Sequence, residues 1–184
     1  MYGMVNKAVK GLVTENFGEE TWAKISSKAN APEDFLAFQQ YDDKVTYDLV
    51  GAASEVLGLE PTKVLETFGD YWVKKIATVH YADLMEKTGS SFLSFIQNLD
   101  HMHSRIKTTF PGYNPPSFRV KVESDEVFIL DYYSEREGLL PFVEGLLNGL
   151  ADHFEVELSI EHIPDDQHPM PSKRLKMTYQ QKDG

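Results

Sequence analysis

Cysteine is absent from all 184 residues. That rules out a disulfide framework, a thiolate zinc site, an iron–sulfur cluster and a Cys nucleophile. Any metal must be held by His, carboxylate, Tyr or Met. Basic residues are few: 18 Lys and Arg stand against 29 Asp and Glu, a formal net charge of −11. So acidic a chain is a poor match for nucleic acid or anionic lipid, which both need a positive field. Long apolar runs are missing too. No stretch approaches the roughly 18 apolar residues of a membrane span. The opening MYGMVNKAVKGLV is interrupted by Asn6, Lys7 and Lys10 before it can form a signal-peptide core. The expectation is a soluble, cytoplasmic chain with no nucleic-acid and no membrane partner.

Aromatic residues are abundant instead: 11 Phe, 9 Tyr and 2 Trp. They imply a large core or an apolar pocket. The length predicts a single domain, 1–184, burying roughly 70% of its unfolded surface. Residues 1–110 show mainly helical spacing. Tyr2, Val5, Val9, Leu12 and Val13 share a stripe, and Trp22 and Ile25 begin another after Gly18. A helix over 48–57 closes at Gly58, and Pro61 opens another through PTKVLETFGDYWVKKIATV. Residues 91–110 read as one helix.

After Pro115 and Pro116 the period drops to 2. SFRVKVE and EVFILDYY predict a hairpin about Ser124 and Asp125. LLPFVEGLLNGLADHF returns to helix, and FEVELSIEHI and RLKMTY are two further strands. Residues 164–172 and the tail look loop-like. The fold class is therefore α+β: a helical N-terminal part packed on a C-terminal antiparallel sheet (115–184) crossed by one helix.

Six histidines are present: His80, His101, His103, His153, His162 and His168. None forms the HxxxH or HExxH spacing of a zinc pair. Within 91–110, Phe92, Ile96, Leu99, Ile106 and Phe110 recur at steps of three and four, and His103 falls on that apolar stripe. His101 lies about 160° away around the helix. Two readings fit His103: a hydrogen-bonded core histidine, the commoner case, or a lone proximal ligand to haem iron. Asp100 reads as a solvated helix-face residue.

A second group closes the second strand. In extended chain Tyr132, Ser134 and Arg136 share one face and offer a phenol, a hydroxyl and a guanidinium. Such donors suit a carboxylate or phosphate. The alternative is a solvated strand face with Arg136 paired to a nearby Glu. Glu135 and Glu137 read as flanking surface charges.

LDHMH (99–103), the N-P-P segment (114–116) and Y-x-S-x-R (132–136) together resemble the H-NOX family. These are the haem-nitric oxide/oxygen binding domains, which include the N-terminal haem domain of the soluble guanylate cyclase beta subunit. MYGMVNKA, DLVGAASEVLGL, FPGYNPPSFR and YYSEREGL extend the resemblance over nearly the whole chain. It implies the H-NOX fold, with haem b between the helical part and the sheet. His103 then corresponds to the proximal iron ligand, and Tyr132, Ser134 and Arg136 to the donors that grip the haem propionates. Pro116 corresponds to the proline that presses on the macrocycle. Aligned through Gly145 and Leu146, Phe142 stands where oxygen-binding members carry a distal tyrosine. Trp72 takes the other distal position, and Val5 and Leu146 add apolar wall.

Phe142 has no hydroxyl, whereas the Trp72 indole N–H is a donor. The pairing resembles the nitric-oxide-selective branch. The implied function is a gas sensor, not an enzyme. Ferrous haem would bind NO, and also CO, and NO would weaken the iron bond to His103. A partner protein such as a histidine kinase or a cyclic-di-GMP enzyme would receive the signal. The alternatives are an O2-binding or peroxidase-like haem protein, or a domain for another carboxylated ligand without iron.

Overall fold

The computed structural model describes residues 1–164 and 172–182. Helix α1 (Gly3–Phe17) stops at Gly18, whose φ of 84° no side-chain-bearing residue adopts easily. Helix α2 (Glu19–Lys28) follows, with Glu19 and Glu20 in the first turn and Lys28 in the last, each complementing the helix dipole. Helix α3 (Asp43–Leu57) begins five residues earlier than its apolar spacing suggests. The side chain of Asp42 accepts a hydrogen bond from the Lys44 N–H at 2.8 Å and so caps that earlier start. Pro61 opens α4 (Pro61–Tyr71), as expected.

The PTKVLETFGDYWVKKIATV segment does not stay α-helical. From Trp72 it widens into a π-helical stretch (Trp72–Ala77) before α5 (Thr78–His80). The expected single helix over 91–110 is also two. After α6 (Ala82–Thr88), helices α7 (Phe92–Gln97) and α8 (Leu99–Thr109) are separated at Asn98. The Asn98 side-chain amide donates to the Thr88 carbonyl at 2.8 Å, a tie that a polar residue supplies and apolar spacing does not reveal. The stripe survives the break: Phe92, Ile96 and Leu99 are buried and His101 is exposed.

The C-terminal part forms an antiparallel sheet in the order β1-β2-β4-β3. Its strands are β1 (Ser117–Val122), β2 (Val127–Tyr133), β3 (Val156–Ile163) and β4 (Ser172–Gln181), with α9 (Leu140–His153) between β2 and β3. The hairpin register sets Phe118 opposite Tyr132. Strand β4 runs past the RLKMTY segment into part of the tail read as loop. His168 and most of the 164–172 loop lie outside the described residues. The α+β class stands.

Two apolar clusters make the core. One joins α1 to α4 around Trp22, Ile25, Leu49 and Phe68. The other joins the sheet to α7 and α9 around Phe92, Phe128, Leu130, Leu175 and Met177. Trp72 packs against both. Helices α4 and α9 cross at Gly69 and Gly145, where an added Cβ would strike the Phe142 and Glu66 backbone carbonyls respectively. Only glycine permits that approach, and it brings Phe142 of α9 onto Phe68 of α4. Among the described residues, no helix is long and apolar enough to cross a membrane.

Candidate functional site

His103 sits in the middle of α8, four residues after the buried Leu99. Burial pushes its pKa below the usual histidine value, while the Pro116 backbone carbonyl and the Asp100 carboxylate pull the other way. The net lowering favours a neutral imidazole at pH 7. Its Nδ1 is buried and makes no hydrogen bond. The ring faces Phe118 at 6.0 Å between centroids and Tyr113 edge-on at 6.2 Å. Phe118 in turn packs at 5.5 Å on its cross-strand neighbour Tyr132. One phenylalanine ring thus connects the two groups that the sequence singled out separately.

Tyr132, Ser134 and Arg136 do come together, by a different route from the expected one. Strand β2 ends at Tyr133, so Ser134 and Arg136 are not in extended chain. The chain turns instead, and the Ser134 hydroxyl accepts the Arg136 backbone N–H at 3.0 Å. Burial raises the Tyr132 phenol pKa, against the opposing pull of its hydrogen bond to Ser134 and the nearby Arg136 charge.

Arg136 pairs with Asp43, not with a Glu: its Nε donates to Oδ2 at 2.6 Å. Its Nη1 donates to the Asn114 carbonyl at 2.6 Å. The pair joins the turn after β2 to the start of α3, and so joins the two halves of the molecule. Burial pushes Asp43 up, but hydrogen bonds from the Met1 amino group and Arg136 outweigh it and hold the carboxyl below its usual value. The Tyr47 hydroxyl, one turn further along α3, donates to the Glu137 carbonyl at 2.9 Å.

Asp100 is not a solvated helix-face residue. Its carboxylate accepts from the Ser117 hydroxyl and the Phe118 N–H, both at 2.7 Å. These charge-assisted bonds clamp the helix bearing His103 to the first residues of β1, at about 1.5–3 kcal/mol each. The N-P-P segment spans the same junction. Asn114 holds Arg136 through its carbonyl and donates to the exposed Glu135 at 2.7 Å, while Pro116 lies half-buried beside His103. Glu137 keeps an exposed side chain.

The remaining pocket candidates divide between the two clusters. Phe68 gathers Phe142 at 5.0 Å and Trp72 at 6.3 Å. Val5 packs against the helical cluster and Leu146 against the sheet cluster, each half-buried. Sequence reasoning passed over Asp43, Phe68 and Phe118, and used Asn114 only as part of the N-P-P motif. Phe68 does stand four residues before Trp72 on α4, and Phe118 alternates with Val120 along β1. Asp43 carries no comparable signal, because its role depends on contact with a residue 93 positions away.

The fold is that of the H-NOX domains. A mutant H-NOX protein from S. oneidensis in the Fe(II) ligation state superposes with a TM-score of 0.87 at 22% identity, covering 100% of this chain and 98% of that one. The S. oneidensis H-NOX protein in the Fe(II)NO ligation state gives 0.85 at 22% identity, covering 98% and 99%. The family model described as Haem-NO-binding matches residues 2–162, and the chain belongs to that family of haem-based gas sensors.

Among curated relatives, the soluble guanylate cyclase gcy-31 of Caenorhabditis elegans is 26% identical over 179 residues, 96% of this chain and 25% of that protein. The soluble guanylate cyclase gcy-33 of the same organism is 30% identical over 163 residues, 88% and 17% respectively. The chain thus spans a quarter or less of the length of these relatives.

Proposed function

We propose that residues 1–184 form a single sensor domain that holds haem b through His103 and binds NO, and also CO, at the ferrous iron. The observation that carries this reading is the link from His103 through Phe118 to Tyr132 and the Ser134–Arg136 turn. A neutral imidazole whose buried Nδ1 has no partner fits an axial ligand. A phenol, a hydroxyl and a guanidinium at one end of it fit two propionates. When bound, ferrous haem with one axial histidine supplies an open coordination position for a diatomic gas.

The chain's own residues divide the remaining tasks. Tyr132, Ser134 and Arg136 orient the carboxylate edge, and Pro116 bears on the ring from beside His103. Trp72, Phe142, Val5 and Leu146 supply apolar wall that excludes water from the gas side. Phe142 offers no hydroxyl to a bound oxygen molecule, which favours NO over O2. The Trp72 indole N–H is the feature that favours the alternative, an O2-binding member. Any load on His103 is felt at β1, because Asp100 on the same helix holds Ser117 and Phe118. The receiver in this reading is a separate signalling protein, such as a histidine kinase or a cyclic-di-GMP enzyme, and the site of action is the cytoplasm. The domain itself performs no catalysis in this reading, and no peroxidase activity is expected.

The absorption spectrum of the ferrous protein, alone, with NO and in air, tests the assignment. A Soret band that shifts with NO and shows no lasting oxy form in air is the expected result. A stable oxy spectrum would assign the protein to the O2-binding alternative. His103→Gly should lose the native Soret band and regain it on addition of imidazole. Unchanged haem binding in that variant would reject His103 as the ligand.

A further inference from the structure

The sheet ends in two edge strands, β1 and β3. An edge strand presents unpaired N–H and C=O groups that accept another strand unless something covers them. The phase of the ladder fixes which groups those are. At the foot of β3 the Lys182 N–H donates to the Glu155 carbonyl at 2.9 Å, while on the other side of β4 the Tyr179 N–H donates to the Glu126 carbonyl at 2.9 Å. Glu157, Ser159 and Glu161 therefore exchange bonds with β4, and the backbones of Leu158, Ile160 and His162 turn to the open edge. Among the described residues nothing bonds to those backbone groups. On β1 the first corresponding amide, that of Phe118, is taken by the Asp100 carboxylate at 2.7 Å. Strand β3, VELSIEHI, has no such cover, no proline and no lysine.

Beside this edge lies a cavity of about 280 Å³, lined by Leu158, Ile160 and His162 with Glu66 of α4 and Glu144 and Asn148 of α9. The Glu144 Oε1 atom is buried there, 2.5 Å from His162 Nε2, and makes no aligned hydrogen bond. Nearby cations are mostly spent. Lys63 pairs with Glu66 at 3.3 Å, and Lys176 lies across from Glu161. Lys74 and Lys182 are matched by Asp70 and Asp152. That leaves Glu144, Glu155 and Glu157 without a lysine or arginine partner among the described residues.

We infer that the free edge of β3 takes an added strand, an extended segment of a partner polypeptide with basic side chains at alternate positions. The backbone of that segment completes the ladder on Leu158, Ile160 and His162, and such bonds supply affinity whatever the sequence. Charge supplies the selection. Side chains of an added strand alternate between the two faces of the sheet. A basic one is therefore laid either along the cavity towards Glu144 or beside Glu157 on the outer face. A second copy of this chain is a poor occupant. Pairing β3 with itself antiparallel about Ser159 sets Glu157 opposite Glu161 of the other copy, a destabilising like-charge pair. Two chains of net charge −11 also repel, whereas the same charge steers a cationic segment inward. The edge does not depend on haem.

Fluorescence anisotropy with the fluorescein-labelled peptide KVKVKVK, together with amide hydrogen exchange on the full chain, tests the edge. The wild type should bind the peptide. Binding should slow exchange at the Leu158, Ile160 and His162 amides and leave those of Glu157, Ser159 and Glu161, already bonded to β4, unchanged. The same peptide N-methylated at every residue keeps its charge but has no backbone donor. It should bind at least about tenfold more weakly, equivalent to about 1.4 kcal/mol. The variant E155K/E157K should bind KVKVKVK at least about fivefold more weakly. The control E20K/E86K has the same net charge and reverses exposed acids elsewhere, and it should stay within about twofold of wild type. Equal binding of the two peptides, or equal weakening in the two variants, reduces the contact to diffuse charge and overturns the proposal. Binding without the alternating protection overturns it, as does no binding at all. The same amides slowing as protein concentration rises, with no peptide present, assigns the edge to a second copy and likewise overturns it.

Discussion

The helical half and the sheet half each bury an aromatic-rich core, but they place polar chemistry differently. In the helical half the buried polar pair is Thr46 donating to Asn6 at 2.7 Å, and most charge sits on the surface. In the sheet half His103, Asp100, Tyr132 and Arg136 lie buried or half-buried and are joined by rings and hydrogen bonds. In the proposed reading the helical half would supply wall and scaffold. The sheet half would supply the grip, with Asp43 reaching across to Arg136.

That contrast can be broken by mutation. The largest effect should come from Phe118→Ala, which removes the ring between His103 and Tyr132. It should cost about 3–5 kcal/mol in urea melts and also displace the Soret band. Leu49→Ala, in the helical cluster, should cost about 2–5 kcal/mol and leave the band in place. A Soret shift in Leu49→Ala alone would invert the comparison.

Gly145→Ala comes next. Its Cβ meets the Glu66 backbone, which cannot yield as a side chain would, so a loss of about 3 kcal/mol is expected from the thermal midpoint. Gly51→Ala on α3 meets no atom within 4 Å and should gain about 0.5–1 kcal/mol. Equal losses at both positions would mean that the α4–α9 crossing is not the tight joint between the halves.

Asp100→Ala should cost about 1–3 kcal/mol, because Ser117 and the Phe118 N–H lose their acceptor. Faster amide exchange should appear first at the start of β1. Protection that falls first on the helical half would place the clamp elsewhere.

The smallest effect concerns the bridge between the halves. Asp43 is held below its unfolded value of 3.8, so its contribution is complete at neutral pH. It is lost as the pH falls from about 4 through the folded pKa. Asp43→Asn should flatten that acid limb of the stability curve and leave the alkaline limb unchanged. An unaltered acid limb would show that Arg136 does not depend on Asp43.

Much of the architecture was legible in the residues. The change of period after Pro116 marked the passage from helices to sheet, Gly58 and Pro61 marked helix ends, and steps of three and four separated His103 from His101. The failures share one cause. Asn98 breaks a well-patterned helix because a carbonyl ten residues earlier is within reach of its amide. The π-helical stretch at Trp72 has no composition that marks it. Ser134 and Arg136 meet through a turn, where strand alternation had suggested an extended face.

The amino-acid pattern by itself determined the classes: α+β from the two periodicities, and membership of a haem-sensor family from ordered motifs; the lack of cysteine only removed thiolate ligands. Those are properties of spacing and composition, which local chain geometry reads directly. Tertiary structure alone decided that Asp100 is a clamp, that Phe118 stands between His103 and Tyr132, and that Asp43 is the partner of Arg136. Each depends on groups distant in sequence meeting at hydrogen-bond or ring-contact range. Such distances are set by how the two cores pack, not by any interval along the chain.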